Sequence, residues 1–240
     1  MYKQNNVFTK KDLDLYLKEL AKEFRKLNGV AMPAELVLVG GAAVLANYGF
    51  RDMTADIDAV IRASSAMKDA ISRISDRFDL PSGWLNSDFT KTSSYSPRLE
   101  EVSVYYRTFS NILTVRTVSA EYLVAMKLRS GRKYKNDISD VVGILAEHKK
   151  AGNPLTFEKI NNAVETLYGG WTGFPSDSKS FLEQALKTPH IEKVFDSVRK
   201  EELSAKSELV VFEKENPGIA DEKNINEILE MLKRKKKTDL

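Results

Sequence analysis

Asp56 and Asp58 stand two residues apart, with Ile57 between them, in the stretch LVLVGGAAVLANYGFRDMTADIDAVI (residues 36–61). Alternate residues of a β-strand share a face, separated by about 6.6 Å over two steps of rise. If DIDAVI is a strand, both carboxylates project together while Ile57 enters the core. Two like charges held that close need something positive to neutralise them. Carboxylates in this arrangement converge on divalent cations, and two such ions about 3.5–4 Å apart serve phosphoryl transfer. Ahead of them, Gly40-Gly41 permits close backbone approach, and the short helix that follows offers free N–H groups and a positive dipole end to a phosphate. Singly these features are weak, since Gly-Gly is usually only a turn and a strand D-x-D is more often solvated. Together, with RDMT (Arg51 to Thr54) leading into the aspartates, they form a consistent site for a nucleoside triphosphate and Mg2+ (or Mn2+).

Composition narrows the chemistry further. The chain has 240 residues, no cysteine and only two histidines, so disulfides and thiolate metal sites are excluded and a histidine-rich zinc site is disfavoured. A hard cation on carboxylates is the metal chemistry left. The absence of cysteine fits a reducing cytoplasm. No run reaches the roughly 18 apolar residues of a membrane span, and MYKQNNVFTKKDLDLYL lacks the apolar block of a signal peptide. A net charge of +3 is too small to imply nucleic acid by itself, but KLRSGRKYK (Lys127 to Lys135) and KRKKK (Lys233 to Lys237) concentrate cations locally. The first suits a phosphate clamp as well as a solvated helix end, and the second reads as a solvated tail.

The elements that must hold the aspartates follow from periodicity. Leu13, Tyr16, Leu17, Leu20, Phe24 and Leu27 repeat at helical spacing behind Thr9, an N-cap residue. Glu35 to Val39 reads as a buried strand, Ala42 to Tyr48 as a short helix ended by Gly49, and Asp56 to Ile61 as the second strand. Ser64 or Ser65 caps a helix with Met67, Ile71, Ile74 and Phe78 on one face. Leu80 to Arg98 reads as a long surface loop, of a length that is often functional. Trp84 on that loop suits either packing against the domain or stacking on a base. Val102 to Phe109 and Ile112 to Val118 make a hairpin about Ser110-Asn111, and the second of these strands is expected beside DIDAVI, bringing Arg116 or Val115 toward the aspartates. Helices follow at Ala120 to Ser130 and about Asn136 to Lys149. After Ala151 to Thr156 no strand signal appears. The chain thus divides into an α/β part, residues 1–150, and a helical C-terminal region, residues 151–240, broken at ENPGIADE.

These motifs resemble the nucleotidyltransferase superfamily, whose polymerase-beta-like fold carries GG or GS, a short helix and a [DE]-h-[DE]-h strand. The likeness is closest to bacterial nucleotidyltransferases of the AbiEii/AbiGii toxin type, which show hhGGxAh, R.T.DIDhhh, a Gly-Trp-Leu-Asn loop and LhAhKLxAxRxKDxxDI. The matching segments are LVGGAAV, RDMTADIDAVI, SGWLN and YLVAMKLRSGRKYKNDISDVVGIL, within about residues 36–145. The resemblance implies an α/β (α+β) fold, a small mixed sheet with flanking helices followed by the helical C-terminal region. It implies Asp56 and Asp58 as catalytic and metal-binding, Lys127 as catalytic, and Gly40, Gly41, Thr54 and Arg132 as nucleotide-binding. Two departures stand out: Ala42 and Ala43 follow the glycines where many active members have Ser or Thr, and Ile112 to Val118 carries Arg116 but no acid. Asp137 and Asp140 match the family's later aspartates and are the further candidate ligands. The implied activity moves an NMP from an NTP to an acceptor hydroxyl on tRNA, on a protein or on a small molecule, as a toxin with an antitoxin protein as partner. A degenerate member that keeps the fold and only binds nucleotide or a partner is the competing expectation.

Overall fold

The computed structural model describes residues 7–221 and 224–238, with side chains through Arg234. The first residues of the chain and the lysines at 235–237 of the KRKKK cluster therefore lie outside the described residues and side chains. Compactness divides the chain into two units, Met1–Met126 with Glu158–Thr172, and Lys127–Phe157 with Gly173–Leu240.

The first unit is built on a mixed sheet in the order β3-β2-β1-β5-β4. Its elements are α1 (Lys10–Asn28), β1 (Ala34–Leu38), α2 (Gly40–Asn47), β2 (Ile57–Arg62), α3 (Ala66–Phe78), β3 (Leu85–Asn86), β4 (Ser103–Phe109) and β5 (Leu113–Val118), with α4 (Ala120–Ser130) leaving it and α6 (Phe157–Tyr168) returning. α1 starts in a capping box: Asp12 N–H donates to Thr9 Oγ1, and Asp12 Oδ2 accepts from the Thr9 N–H at 2.9 Å. Its apolar stripe, Leu13, Leu17, Leu20, Ala21 and Phe24, is buried, and the helix packs on α3. The β4–β5 hairpin turns through Ser110 and Asn111, both in the left-handed region at φ 51° and 52°. Such turns match the right-handed twist of paired strands.

Strand order departs from expectation in one respect. β5 runs parallel to β1, and β1 lies between it and its antiparallel neighbour β2, so the Ile112–Val118 segment is not beside DIDAVI. The reason lies in β1: all its residues but Glu35 are buried, and a strand apolar on both faces belongs at the centre of a sheet. Register then assigns faces. Leu36 pairs with Ile61 and Val115, and Leu38 with Ala59 and Thr117, on one face; Val37, Val60 and Arg116 share the other. Asp58 falls with the second set by alternation.

The segment 80–98 is more structured than a loop. It contains β3, parallel to β2, and two 3-10 turns, Asp88–Lys91 and Pro97–Leu99. Trp84 belongs to the core: it is 1% exposed, sits against Phe8 and Tyr16, and donates from Nε1 to the Ile71 carbonyl at 3.3 Å.

One buried acid ties α1 to α3. Glu23 accepts from Arg73 at 3.1 Å and from Arg77 at 2.8 Å. The Arg77 bond, then that of Arg73, hold its carboxyl down to about 2, against an ordinary 4.5, although burial opposes them. A depressed carboxylate contributes stability that is present above its unfolded value and lost as pH falls through the folded one. Glu23→Gln is therefore expected to cost on the order of 1–2 kcal/mol above pH 5, allowing for screening of the half-exposed arginines. That difference should shrink as pH falls from about 4.5 toward 2. Thermal unfolding of both proteins across this range checks it; a pH-independent difference would show that charge is not what Glu23 contributes.

The second unit is helical: the end of α4 from Lys127, α5 (Asp137–Lys150), α7 (Ser178–Lys187), α8 (Ile191–Glu215) and α9 (Ile225–Thr238). α5 packs along α8. Ala205 and Leu209 meet Ile228 and Leu229 in an apolar cluster joined by Tyr134 and Phe212. A helix-rich C-terminal region and a mixed sheet with flanking helices are the α/β architecture expected from the sequence. No helix among the described residues is long and apolar enough to cross a membrane.

Candidate functional site

β2 begins at Ile57, so Asp56 lies just before the strand and Asp58 just inside it. Asp56 is exposed and Asp58 half-buried, while Ile57 between them is fully buried. Burial of a side chain of that size contributes roughly 1.5–3 kcal/mol, which anchors the strand between the two acids. Its N–H donates to the Trp84 carbonyl at 2.8 Å, and the Asp58 carbonyl accepts from Val39 N–H at 3.0 Å. The backbone of Ile57 and Asp58 is thus tied to neighbouring segments, one of them the residue that precedes α2.

α2 begins at Gly40, so the glycine pair forms its first turn rather than a separate bend. Val39 in the N-cap position makes no side-chain cap bond, and the first turn carries no acid. The glycines explain the closeness of what surrounds them. A β-carbon on Gly40 would lie 3.5 Å from Asp58 Oδ2, and φ there is +56°, which favours glycine. A β-carbon on Gly41 would lie 2.5 Å from Thr54 Oγ1 and 2.8 Å from an Arg51 guanidinium nitrogen. Thr54 itself is buried, bridges to Phe8, and donates from Oγ1 to the Asp56 carbonyl at 3.2 Å. Gly40, Gly41, Thr54 and Asp58 are therefore brought together as a unit, with Arg51, which the sequence reading included in the RDMT lead-in but gave no role of its own. Its signal was present in the R.T.DID spacing.

Among the described residues no group of three or more acids or histidines is assembled for a metal ion. The hard-oxygen pair Asp56 and Asp58 suits magnesium, which is commonly held by one or two carboxylates with substrate phosphates and water supplying the rest. The close pass of Gly40 by Asp58 Oδ2 leaves no side chain between that carboxylate and the helix start.

Arg116 is placed elsewhere. Its guanidinium donates to Ser103 Oγ at 2.7 Å and to the Ser103 carbonyl at 2.6 Å, fastening β5 to β4.

Lys127, Arg132, Asp137 and Asp140 come together inside the second unit. Lys127 is 6% exposed, and its ammonium pairs with Asp137 Oδ1 at 2.9 Å and Asp140 Oδ2 at 2.8 Å. Arg132 Nε donates to Asp137 Oδ2 at 2.8 Å. Burial opposes the ionised Asp137, but the charge of Lys127 and the bonds and charge of Arg132 outweigh it and hold the carboxyl well below the usual range. Glu202 of α8 adjoins this cluster and went unnoticed in the sequence. Its Oε1 accepts from the N–H groups of Ile138 and Ser139, and Oε2 from the Ser139 hydroxyl, so it caps α5 from a different helix. Burial, with the charge of Asp140 adding, pushes Glu202 up to about 7 against the bonds from Ser139 and Ile138. The available signal was its spacing from Ala205 and Leu209 on the buried stripe of α8.

No curated protein and no solved structure matches the chain. A family profile does, and it spans the glycine turn, the aspartates and the lysine–aspartate cluster alike. Matched over residues 16–149, more than half its length, the chain belongs to the family described as nucleotidyltransferase of unknown function (DUF6036).

Proposed function

We propose that the chain transfers a nucleoside monophosphate from an NTP to an acceptor hydroxyl. The acceptor oxygen bonds to the α-phosphorus, the bond from that phosphorus to the β-bridging oxygen breaks, pyrophosphate leaves, and the hydroxyl proton passes to solvent. The observation that carries this reading is the closeness of the glycine turn to Asp58 on one side, where a β-carbon on Gly40 would come to 3.5 Å from Oδ2, and to Thr54 and Arg51 on the other, where one on Gly41 would come to 2.5 Å and 2.8 Å. An uncapped helix start attracts a phosphate, Arg51 adds a fork of donors suited to one, and Asp56 and Asp58 hold magnesium. Bound there, the ion polarises the phosphoryl oxygens. Thr54 sets the course of the chain into Asp56. Lys127 is proposed from the resemblance as the cation that neutralises developing charge, with Arg132 on the nucleotide; Asp137 and Asp140 fix the position of its ammonium.

The acceptor is proposed from the toxin-type likeness: tRNA first, a protein hydroxyl second, with an antitoxin protein as regulator. Within the basic run Lys127 to Lys135, Lys127 is buried on Asp137 and Asp140, and it is Lys133 and Lys135 that suit an RNA backbone; affinity carried by them should fall with salt. Ala42 and Ala43 after the glycines, and the absence of an acid on β5, favour the second reading, a member that binds nucleotide without turnover.

Incubation of the purified chain with Mg2+, total bacterial RNA and protein, and each α-labelled NTP separates the readings. Label in RNA or protein that requires Asp58 supports transfer. Saturable NTP binding without label supports the binding module. Neither label nor binding of any NTP would overturn both.

A further inference from the structure

We propose that Asn86 positions the sugar of the nucleotide at Asp58, its side-chain amide hydrogen-bonding a ribose hydroxyl; the inference rests on the nucleotidyl-transfer reading above. Asn86 is the register partner of Asp58 in the parallel β2–β3 pair, just as Leu85 is that of Ile57. Register partners share a face, and the strands of a sheet lie about 4.8 Å apart. Leu85 and Ile57 are both buried on their side, while Asn86 and Asp58 are both half-buried on the other. β3 is the last strand on its edge of the sheet.

The amide is held in place and yet not saturated. Its Nδ2 donates to the Gly83 carbonyl at 3.0 Å, and its Oδ1 accepts from Asp88 N–H at 2.8 Å. These bonds fix which end is oxygen and which nitrogen. A carboxamide has two N–H donors and two lone pairs, so one of each is left over. A group that both donates and accepts matches a hydroxyl, which does both, better than a phosphate oxygen, which only accepts. The strand that carries Asn86 is anchored by Trp84, two residues earlier, which is buried and whose carbonyl accepts from Ile57 N–H.

The test is a comparison of affinities. Each ribonucleoside triphosphate, with Mg2+, is titrated calorimetrically into the full chain, beside its 2′-deoxy and 3′-deoxy forms. The native chain is expected to bind the ribonucleotide about tenfold more tightly than one of the deoxy forms, the effect of one hydrogen bond to a hydroxyl. In Asn86→Ala that ratio should fall to about one, with the ribonucleotide weakened and the deoxy form unchanged. A merely structural role for Asn86 would weaken all forms equally and leave the ratio intact, which would overturn the proposal. Absence of discrimination in the native chain would overturn it as well. Should Asn86→Ala fail to fold, Asn86→Ser retains an acceptor for the Asp88 N–H, and the same ratio decides. If no triphosphate binds the native chain, the nucleotidyl-transfer reading fails and this inference with it. If triphosphates bind but the ratio survives in the variants, only the role of Asn86 fails.

Discussion

Asp58→Asn is expected to lower nucleotidyl transfer at least about a thousandfold, and Asp56→Asn to do the same, since a metal's stabilisation of transferring phosphoryl oxygens is worth several kcal/mol. An amide of the same shape keeps one oxygen but loses the charge that holds the cation. The fold should survive both changes. Asp56 is exposed, and Ile57 remains packed beneath the pair whichever side chain flanks it. Without nucleotide, unfolding free energies within about 1 kcal/mol of the native value are expected. Transfer of labelled nucleotide and thermal unfolding are measured on the same preparations. A large loss of stability in both variants would make the aspartates structural, and transfer near the native rate in either would remove that residue from the site.

The largest effect on stability is expected at Lys127. Lys127→Met leaves Asp137 and Asp140, 0% and 2% exposed, without the ammonium they share. Breaking a buried ion pair from one side typically costs about 3–5 kcal/mol, because the stranded charge has no solvent to turn to. Arg132 still reaches Asp137 in the variant. Chemical denaturation checks the magnitude. The double variant Lys127→Met with Asp140→Asn should cost less than the sum of the single variants, since it removes the stranded charge along with its partner. Strict additivity would mean that the pair does not couple. The same variants separate the lysine's two proposed roles: a Lys127→Met chain that keeps native stability yet loses transfer acts in catalysis alone.

Much of the architecture was legible in the chain. The α1 cap at Thr9, the amphipathic stripes of α1 and α3, and the Ser110-Asn111 hairpin depend on groups within a few residues of one another. Interactions of that range are written in local spacing. The burial of Ile57 and Ala59 with Asp58 between them was legible too, because a strand's two-residue period fixes which neighbours share a face. The segment 80–98 was less legible. Its prolines, glycine and serines look like a loop, and β3 is only two residues long. A pairing that short is stabilised by what lies beside it, here β2 and the buried Trp84, more than by its own composition.

Types and spacings alone determined that this chain offers two carboxylates two residues apart at the start of a strand, a glycine pair opening a short helix, and basic and acidic residues on later helices. Tertiary structure decided which of them meet. It put β1 rather than β5 beside β2, since β1, buried at every position but Glu35, takes the centre of the sheet. That placement gave Arg116 to Ser103, laid Gly40 against Asp58 and Gly41 against Arg51, and set Asn86 in register with Asp58. It also closed Lys127 and Arg132 onto Asp137 and brought Glu202 to the start of α5 across 63 residues. Charge and hydrogen-bonding capacity belong to each residue and are visible in a sequence, whereas partnership depends on which distant segments exclude water from one another, and that is settled only when the core packs.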